Sequence, residues 1–238
     1  MDKNILSKPN ELDNIKQNIM QKGYHIIPGY LNKKKCSEII YNMNGLLHSN
    51  NGFVHANSGI KEFTTGGDYR SPEFNKFDNN AKMFLDDKNL HNIFEQLYNR
   101  KIVKKRCQAG VVFHFDGIKN SSGGGWHVDN YDLQLKAMIY LTDVKSNNGP
   151  FTYINNTNNF ARKKNPDLKN HRFSDDIINN ELILKNNANN GSNNDGNEFK
   201  IEELTGNAGD CILFRSDNIH KGKIIESGVR YSLTNYYY

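Results

Sequence analysis

The chain has 238 residues, a formal net charge of +5 and a hydrophobic share of 36%, which fits one domain of ordinary size. Its basic residues form short runs among dispersed acidic ones, so the positive charge favours a solvated surface over a nucleic-acid partner. The sequence contains no apolar run near the roughly 20 residues that a membrane span requires. We therefore expect a single domain over residues 1–238, with neither a nucleic-acid nor a membrane partner.

Three cysteines, Cys36, Cys107 and Cys211, are odd in number and far apart, and no Cys-x-x-Cys pair is present. This usage favours reduced thiols over disulfides or a structural zinc site. The polar start of the chain lacks the apolar stretch of a secretory signal. These features predict a cytoplasmic protein.

The N-terminal part of the chain alternates helical apolar spacing with a short strand. The spacing predicts helices over 11–22, around 36–47 and over 89–99, and a strand over 24–27. From residue 48 to about 76 the chain is rich in Gly, Asn, Ser and Thr and has no clear period, which is typical of a loop. We interpret residues 49–88 as a lid or substrate-binding segment.

Beyond residue 100 the pattern changes to strands, which end at turn signals such as Asn-Asn-Gly-Pro. Strands are predicted over 111–115, 133–144, 151–154, 209–215 and 229–238. Residues 155–198 form a polar insertion, and its asparagine-rich tract over 186–197 is expected to be mobile. Several short strands after a helical section predict a mainly β sandwich or barrel braced by helices.

His127-Val128-Asp129 follows a glycine-rich stretch. Because residues i and i+2 of a strand point the same way, the imidazole and the carboxylate share one face. His220, which comes after the strand over 209–215, can supply a third donor. Two histidines and one carboxylate on one side of an octahedron leave open positions, which suits non-haem Fe(II) oxygen chemistry. We therefore predict His127, Asp129 and His220 as metal ligands.

A His-x-Asp triplet alone is a weak signal, because His114-Phe115-Asp116 forms a second one and a lone strand histidine is usually structural. His114 and Asp116 could supply the metal ligands instead, contact substrate or be exposed. The downstream residues favour the first triplet. Arg230 and Ser232 share a strand face, and a guanidinium fork beside a hydroxyl suits the distal carboxylate of a dicarboxylic keto acid.

Several segments together resemble the phytanoyl-CoA dioxygenase family of Fe(II)/2-oxoglutarate oxygenases. They are Gly23–Leu31, Gly-Trp-His-Val-Asp at 125–129, Ile-Tyr-Leu-Thr-Asp-Val at 139–144, Asn-Gly-Pro-Phe-Thr-Tyr-Ile at 148–154, Gly209-Asp210, Leu213-Phe214, His220 and Arg230. The resemblance leaves only 49–88 and 155–198 uncovered. It implies a double-stranded β-helix, or jelly roll, with N-terminal helices packed on one sheet.

The resemblance also implies the chemistry: Fe(II), 2-oxoglutarate as cosubstrate and O₂, with hydroxylation of a C–H bond in a small-molecule metabolite and release of succinate and CO₂. In the strand from residue 133, Lys136 and Tyr140 share a mixed polar face. Tyr140 could donate its hydroxyl to 2-oxoglutarate and Lys136 could pair with an acidic group of either ligand, although ordinary packing explains both residues equally well.

Two alternatives remain open from the sequence: hydroxylation of a protein side chain, and a non-catalytic jelly-roll binding module. Nucleic-acid demethylases resembling this family carry a second arginine six residues after the first, and here that position is Tyr236. This difference disfavours a nucleic-acid substrate.

Overall fold

The computed structural model describes residues 9–49, 51–55, 67–116, 125–167, 171–184 and 199–238. The helices are α1 (Pro9–Lys22), α2 (Lys33–His48), α3 (Asn79–Leu85), α4 (Lys88–Tyr98) and α5 (Asn158–Lys164), with a 3₁₀ turn at Phe74–Lys76 and a π-helical segment at Ile177–Leu184. Within these ranges, none of the helices combines the length and apolarity that a bilayer crossing needs.

The strands are β1 (Tyr24–Ile27), β2 (Val54–His55), β3 (Gly67–Ser71), β4 (Lys105–Phe113), β5 (Trp126–His127), β6 (Leu135–Tyr140), β7 (Phe151–Ile154), β8 (Arg172–Phe173), β9 (Ile201–Leu204), β10 (Cys211–Arg215), β11 (His220–Gly222) and β12 (Val229–Tyr237). They form a seven-stranded sheet in the order β1-β10-β6-β12-β4-β3-β2 and a five-stranded sheet in the order β8-β5-β11-β7-β9. The pairings are antiparallel, and the mainly β prediction is confirmed.

The helices cover the outer face of the seven-stranded sheet. The sequence places Leu135, Ala137, Ile139 and Leu141 on one face of β6 and its continuation, and all four are buried against residues of α1, α2 and α4 in one apolar cluster. Burial of this face removes apolar area from water and holds the helical layer on the sheet. The opposite face of β6 is left for the space between the two sheets.

Side-chain caps define where the helices begin, because the first N–H groups of a helix need acceptors. The Asn32 side chain accepts from the Lys35 N–H at 2.9 Å at the start of α2, and Asp78 accepts from the Ala81 N–H at 2.7 Å at the start of α3. Asp87 caps α4 in the same way and also accepts from the Tyr30 hydroxyl at 2.7 Å. This second bond ties α4 to the turn after β1.

The structure corrects the loop expected between residues 48 and 76, because β2 and β3 lie within it and β3 pairs with β4. Alternation within β3 buries Tyr69 on the helical side, whereas Asp68 and Arg70 on the other side form an ion pair. Because β3 contains this charged pair, its sequence does not show the apolar pattern from which the other strands were predicted. Residues 155–184 contain α5, β8 and the π-helical segment, and the predicted mobile tract at 186–197 lies outside the described residues.

We predict that Ile139→Ala lowers the free energy of unfolding by about 2–5 kcal/mol, because Ile139 is fully buried between β6 and the helices. Chemical denaturation measures this change. The matched control is Ile201→Ala on β9, where the side chain is 38% exposed, and we expect a loss of about 0.5 kcal/mol or less. Equal losses in the two variants would contradict this description of the core.

Candidate metal and cosubstrate site

His127 ends the short strand β5, and Asp129 follows two residues later with its backbone N–H donating to the Ser216 carbonyl at 2.9 Å. This bond fixes Asp129 beside the segment that leads into β11. The two side chains share one face as the spacing predicts, with 4.0 Å between His127 Nε2 and Asp129 Oδ1. The first two predicted ligands therefore lie together.

His220 reaches the same place through strand pairing, because it lies directly opposite His127 in the β5–β11 ladder. The two imidazole centroids are 4.4 Å apart, and His220 Nε2 lies 3.1 Å from Asp129 Oδ2. One ligand atom from each of the three residues lies within 4.8 Å of the others. Within the described ranges, this is the one group of three or more His, Cys, Asp or Glu side chains so arranged.

Backbone carbonyls orient both imidazoles. His127 Nδ1 lies 2.7 Å from the Gly125 carbonyl and His220 Nδ1 lies 2.8 Å from the Asn218 carbonyl. A carbonyl can only accept, so each Nδ1 carries a proton and each Nε2 is turned toward Asp129. Gly125 has φ +92°, a conformation that favours glycine, and its carbonyl is the group that orients His127.

The protonation states suit a cation. Burial and the neighbouring His220 lower the pKa of His127 to about 3, so its ring is neutral near pH 7. Burial alone would raise the pKa of Asp129, but Lys136 and His220 together lower it well below its usual range, so the carboxylate is ionised. Two imidazoles and one carboxylate on one side of a site are the ligand set of non-haem Fe(II) enzymes, and these residues fit that metal.

Hydrogen bonds of Thr157 hold the backbone just before His220, and the sequence did not predict this role for Thr157. The buried Thr157 hydroxyl accepts from the Ile219 N–H at 2.7 Å and donates to the Ile154 carbonyl at 2.8 Å. The Asn218 side chain accepts from the Thr157 N–H at 2.8 Å. The signal available was Thr157 itself, a polar residue fully buried where β7 ends.

A cavity between the two sheets adjoins the triad. Alternate residues of β12 form one wall, and side chains from β3, β4, β6, β7, β10 and β11 complete it: Arg70, Gly110, Val112, His127, Asp129, Lys136, Met138, Phe151, Phe214, His220, Gly222, Arg230, Ser232, Thr234 and Tyr236. An open depression beside α2 is larger, about 510 Å³ against 110 Å³. Asparagine and apolar side chains line most of that depression, so the chemistry favours the smaller cavity.

Arg230 lies in the cavity wall with 7% of its surface exposed, and Ser232 lies next to it on the same face of β12. In the part of the chain that the structure describes, the Arg230 guanidinium makes no ion pair. Burial lowers its pKa, with Tyr140 and Asp68 acting in the opposite direction. A buried guanidinium without a counter-ion favours an anionic ligand, and its fork matches a carboxylate.

Lys136 lies at the other end of the cavity. It is 4% exposed, and its Nζ is 2.5 Å from Asp129 Oδ2. In the sheet it is paired with Tyr236, six positions from Arg230 along β12, which corresponds to about 20 Å of strand. The structure therefore places the Lys136 ammonium beside Asp129, with the backbone of Lys136 far along the sheet from that of Arg230.

The Tyr140 hydroxyl is engaged by the backbone, since it donates to the Leu204 carbonyl at 2.8 Å and accepts from the Phe151 N–H at 2.9 Å. Its ring packs with a second apolar cluster between the sheets, behind Ser232. These bonds link β6 to β7 and β9, and Tyr140 is not among the residues that line the cavity.

The rival triplet does not converge on a third donor. His114 Nδ1 lies 3.0 Å from the Ile225 carbonyl, and His114 Nε2 lies 3.8 Å from the fully exposed Asp116. Neither residue lines the cavity beside the triad. Arg70 does line it, paired with Asp68 through two contacts of 2.5 and 2.7 Å, and lies across Gly110.

Solved structures share this fold. The epimerase SnoN from nogalamycin biosynthesis, in complex with Fe³⁺, alpha ketoglutarate and nogalamycin RO, has a TM-score of 0.70 and 15% identity over 97% of this chain and 84% of its own. A Pseudomonas putida prolyl-4-hydroxylase has a TM-score of 0.59 and 12% identity over 95% of this chain and 97% of its own. At such identities the likeness establishes the fold alone.

HygX from Streptomyces hygroscopicus, solved with nickel, 2-oxoglutarate and hygromycin B, has a TM-score of 0.58 and 13% identity over 94% of this chain and 86% of its own. Curated protein sequences contain no match. A scan against protein families matches residues 19–230 to phytanoyl-CoA dioxygenase. Because this match covers most of the sequence, the chain belongs to the phytanoyl-CoA dioxygenase family of iron- and 2-oxoglutarate-dependent oxygenases.

Proposed function

We propose that His127, Asp129 and His220 hold Fe(II) and that Arg230 and Ser232 bind the distal carboxylate of 2-oxoglutarate. The observation that carries this proposal is the convergence of three donor atoms within 4.8 Å of one another at a cavity that also contains the buried Arg230. The proposed reaction is hydroxylation of a C–H bond in a small-molecule metabolite.

In the proposed mechanism, bound iron supplies oxygen activation, by which O₂ converts 2-oxoglutarate to succinate and CO₂ and delivers one oxygen atom to the substrate. The protein positions the reactants. Carbonyls of Gly125 and Asn218 hold the Nε2 atoms inward, and Arg230 sets the direction of the cosubstrate. Phe151 and Phe214 pack around His220 and exclude water from that side.

A small-molecule substrate is supported by SnoN and HygX, whose structures contain nogalamycin RO and hygromycin B. The ionised Asp129 favours hydroxylation or a related oxidation, because a carboxylate ligand leaves no coordination position there for a halide. A protein side chain is the second candidate, since a prolyl-4-hydroxylase shares the fold. A non-catalytic binding module is the third, and the orientation of both histidines argues against it.

We further propose that the chain acts as one domain over residues 1–238, with 49–88 and 155–198 contributing to substrate binding. Part of 49–88 already reaches the cavity, because Arg70 on β3 lines it. A cytoplasmic location is supported by the three cysteines, all of which are buried free thiols.

The direct test is iron-dependent formation of succinate from 2-oxoglutarate, with and without a pool of candidate metabolites analysed for the gain of one oxygen atom. We expect succinate to form with Fe(II) and to disappear when the metal is chelated. A binding module would form no succinate under any of these conditions.

Asp129→Gly should reduce succinate formation by at least about 100-fold, because it removes one of three ligands, and losing an outer-sphere partner of a ligand already costs 10–100-fold. The control is Asp132→Gly, whose side chain is 85% exposed and pairs with Arg162 at the surface. Succinate assays on both proteins measure the effect. Full turnover in the Asp129 variant would refute its role as a ligand.

Arg230→Met should raise the KM for 2-oxoglutarate by roughly 10- to 100-fold, because it removes a charge-assisted pair with the distal carboxylate. The affinity for Mn(II) without cosubstrate should not weaken, since Arg230 lies at the end of the cavity away from the triad. Steady-state kinetics and metal titration separate the two effects. Arg162→Met is the control, because this arginine is exposed, and an unchanged KM in the Arg230 variant would contradict the assignment.

A further inference from the structure

Lys136 makes an unusual contact for a residue beside a metal site. Its ammonium lies 2.5 Å from Asp129 Oδ2, the same oxygen that His220 Nε2 approaches at 3.1 Å. Lys136 is 4% exposed, so its charge is shielded from water and salt. A lysine therefore occupies the side of Asp129 that a metal ion would use together with His220.

Two effects of Lys136 on metal binding oppose each other. Its hydrogen bond holds the Asp129 carboxylate in place, which favours binding, whereas its charge repels a divalent ion bound to the same carboxylate. Away from water, repulsion between charges a few ångströms apart exceeds the contribution of one orienting hydrogen bond. The net effect of Lys136 is then to weaken the binding of metal alone.

The charges of the cavity indicate what relieves this repulsion. Lys136 and Arg230 are each +1 and Asp129 is −1, while Arg70 and Asp68 cancel, so the net charge is +1. A divalent metal raises the net charge to +3, and dianionic 2-oxoglutarate returns it to +1. The Tyr236 ring lies 4.3 Å from Lys136 Nζ, so the ammonium has an aromatic face to lie against once Asp129 binds the metal.

We propose that Lys136 is a positioning residue that makes the binding of metal and 2-oxoglutarate interdependent. This inference rests on the proposed function of the triad and of Arg230. Lys136 holds the Asp129 carboxylate by a hydrogen bond, its charge disfavours metal without cosubstrate, and dianionic 2-oxoglutarate relieves that repulsion. The enzyme thus avoids holding a redox-active metal without the cosubstrate that directs its chemistry.

Calorimetric titration with Mn(II), a redox-stable probe of the metal site, tests this coupling without turnover. The full-length wild type and Lys136→Met are each titrated with and without saturating 2-oxoglutarate. Without cosubstrate, we expect the variant to bind Mn(II) about 10-fold more tightly than the wild type. The gain in Mn(II) affinity caused by 2-oxoglutarate should be about 10-fold smaller in the variant, because chelation remains and relief of repulsion is lost.

Lys136→Arg keeps the positive charge and should behave like the wild type, which a purely structural role would not require. Lys136→Gln replaces the methionine variant if the latter fails to fold. Lys223→Met is the matched control, because this lysine forms a partly exposed ion pair with Glu203, and its Mn(II) affinities should match the wild type.

Equal or weaker Mn(II) binding by the charge-removing variants, or an unchanged gain from 2-oxoglutarate, would overturn the role of Lys136. Failure of the proposed function gives a different result. In that case the wild type would not bind Mn(II), or its Mn(II) binding would persist in Asp129→Gly.

Discussion

The pairing of β5 with β11 places His127 directly opposite His220, and the rest of the site depends on this register. A shift of one residue would turn either imidazole to the far face of the sheet, because side chains alternate along a strand. The register is itself held by bonds on both sides: Asp129 to Ser216, Thr157 to Ile219 and Thr157 to Asn218. The hydrogen bonds of the neighbouring loops thus fix the position of the short strand β5.

The two sheets have different tasks. The five-stranded sheet carries His127 and His220, with Asp129 two residues after β5, whereas the seven-stranded sheet supplies Arg230, Ser232 and Lys136 from β12 and β6. Helices packed on the outer face of the larger sheet make it a rigid wall. In the proposed assignment, the five-stranded sheet and its adjoining loop hold the metal, and Arg230 and Ser232 of the seven-stranded sheet hold the distal carboxylate of the cosubstrate.

Much of the fold was predictable, because β1 and β7 coincide with the predicted strands at 24–27 and 151–154 and the apolar face of β6 follows from alternation alone. The sequence also predicted His127, Asp129 and His220 as metal ligands, and the structure brings these three side chains together. It could not place β3, where a charged pair replaces the apolar alternation, or the Gly125 and Asn218 carbonyls, since backbone acceptors leave no residue signature. The sequence placed Tyr140 on the same strand face as Lys136, but it could not show that the Tyr140 hydroxyl bonds to backbone groups.

We propose that His127, Asp129 and His220 converge on one metal ion. Anomalous diffraction from crystals soaked in Mn(II) and 2-oxoglutarate tests it most directly. We expect one strong peak about 2.0–2.2 Å from His127 Nε2, an Asp129 oxygen and His220 Nε2. A peak elsewhere, or one that contacts fewer than these three side chains, would contradict it.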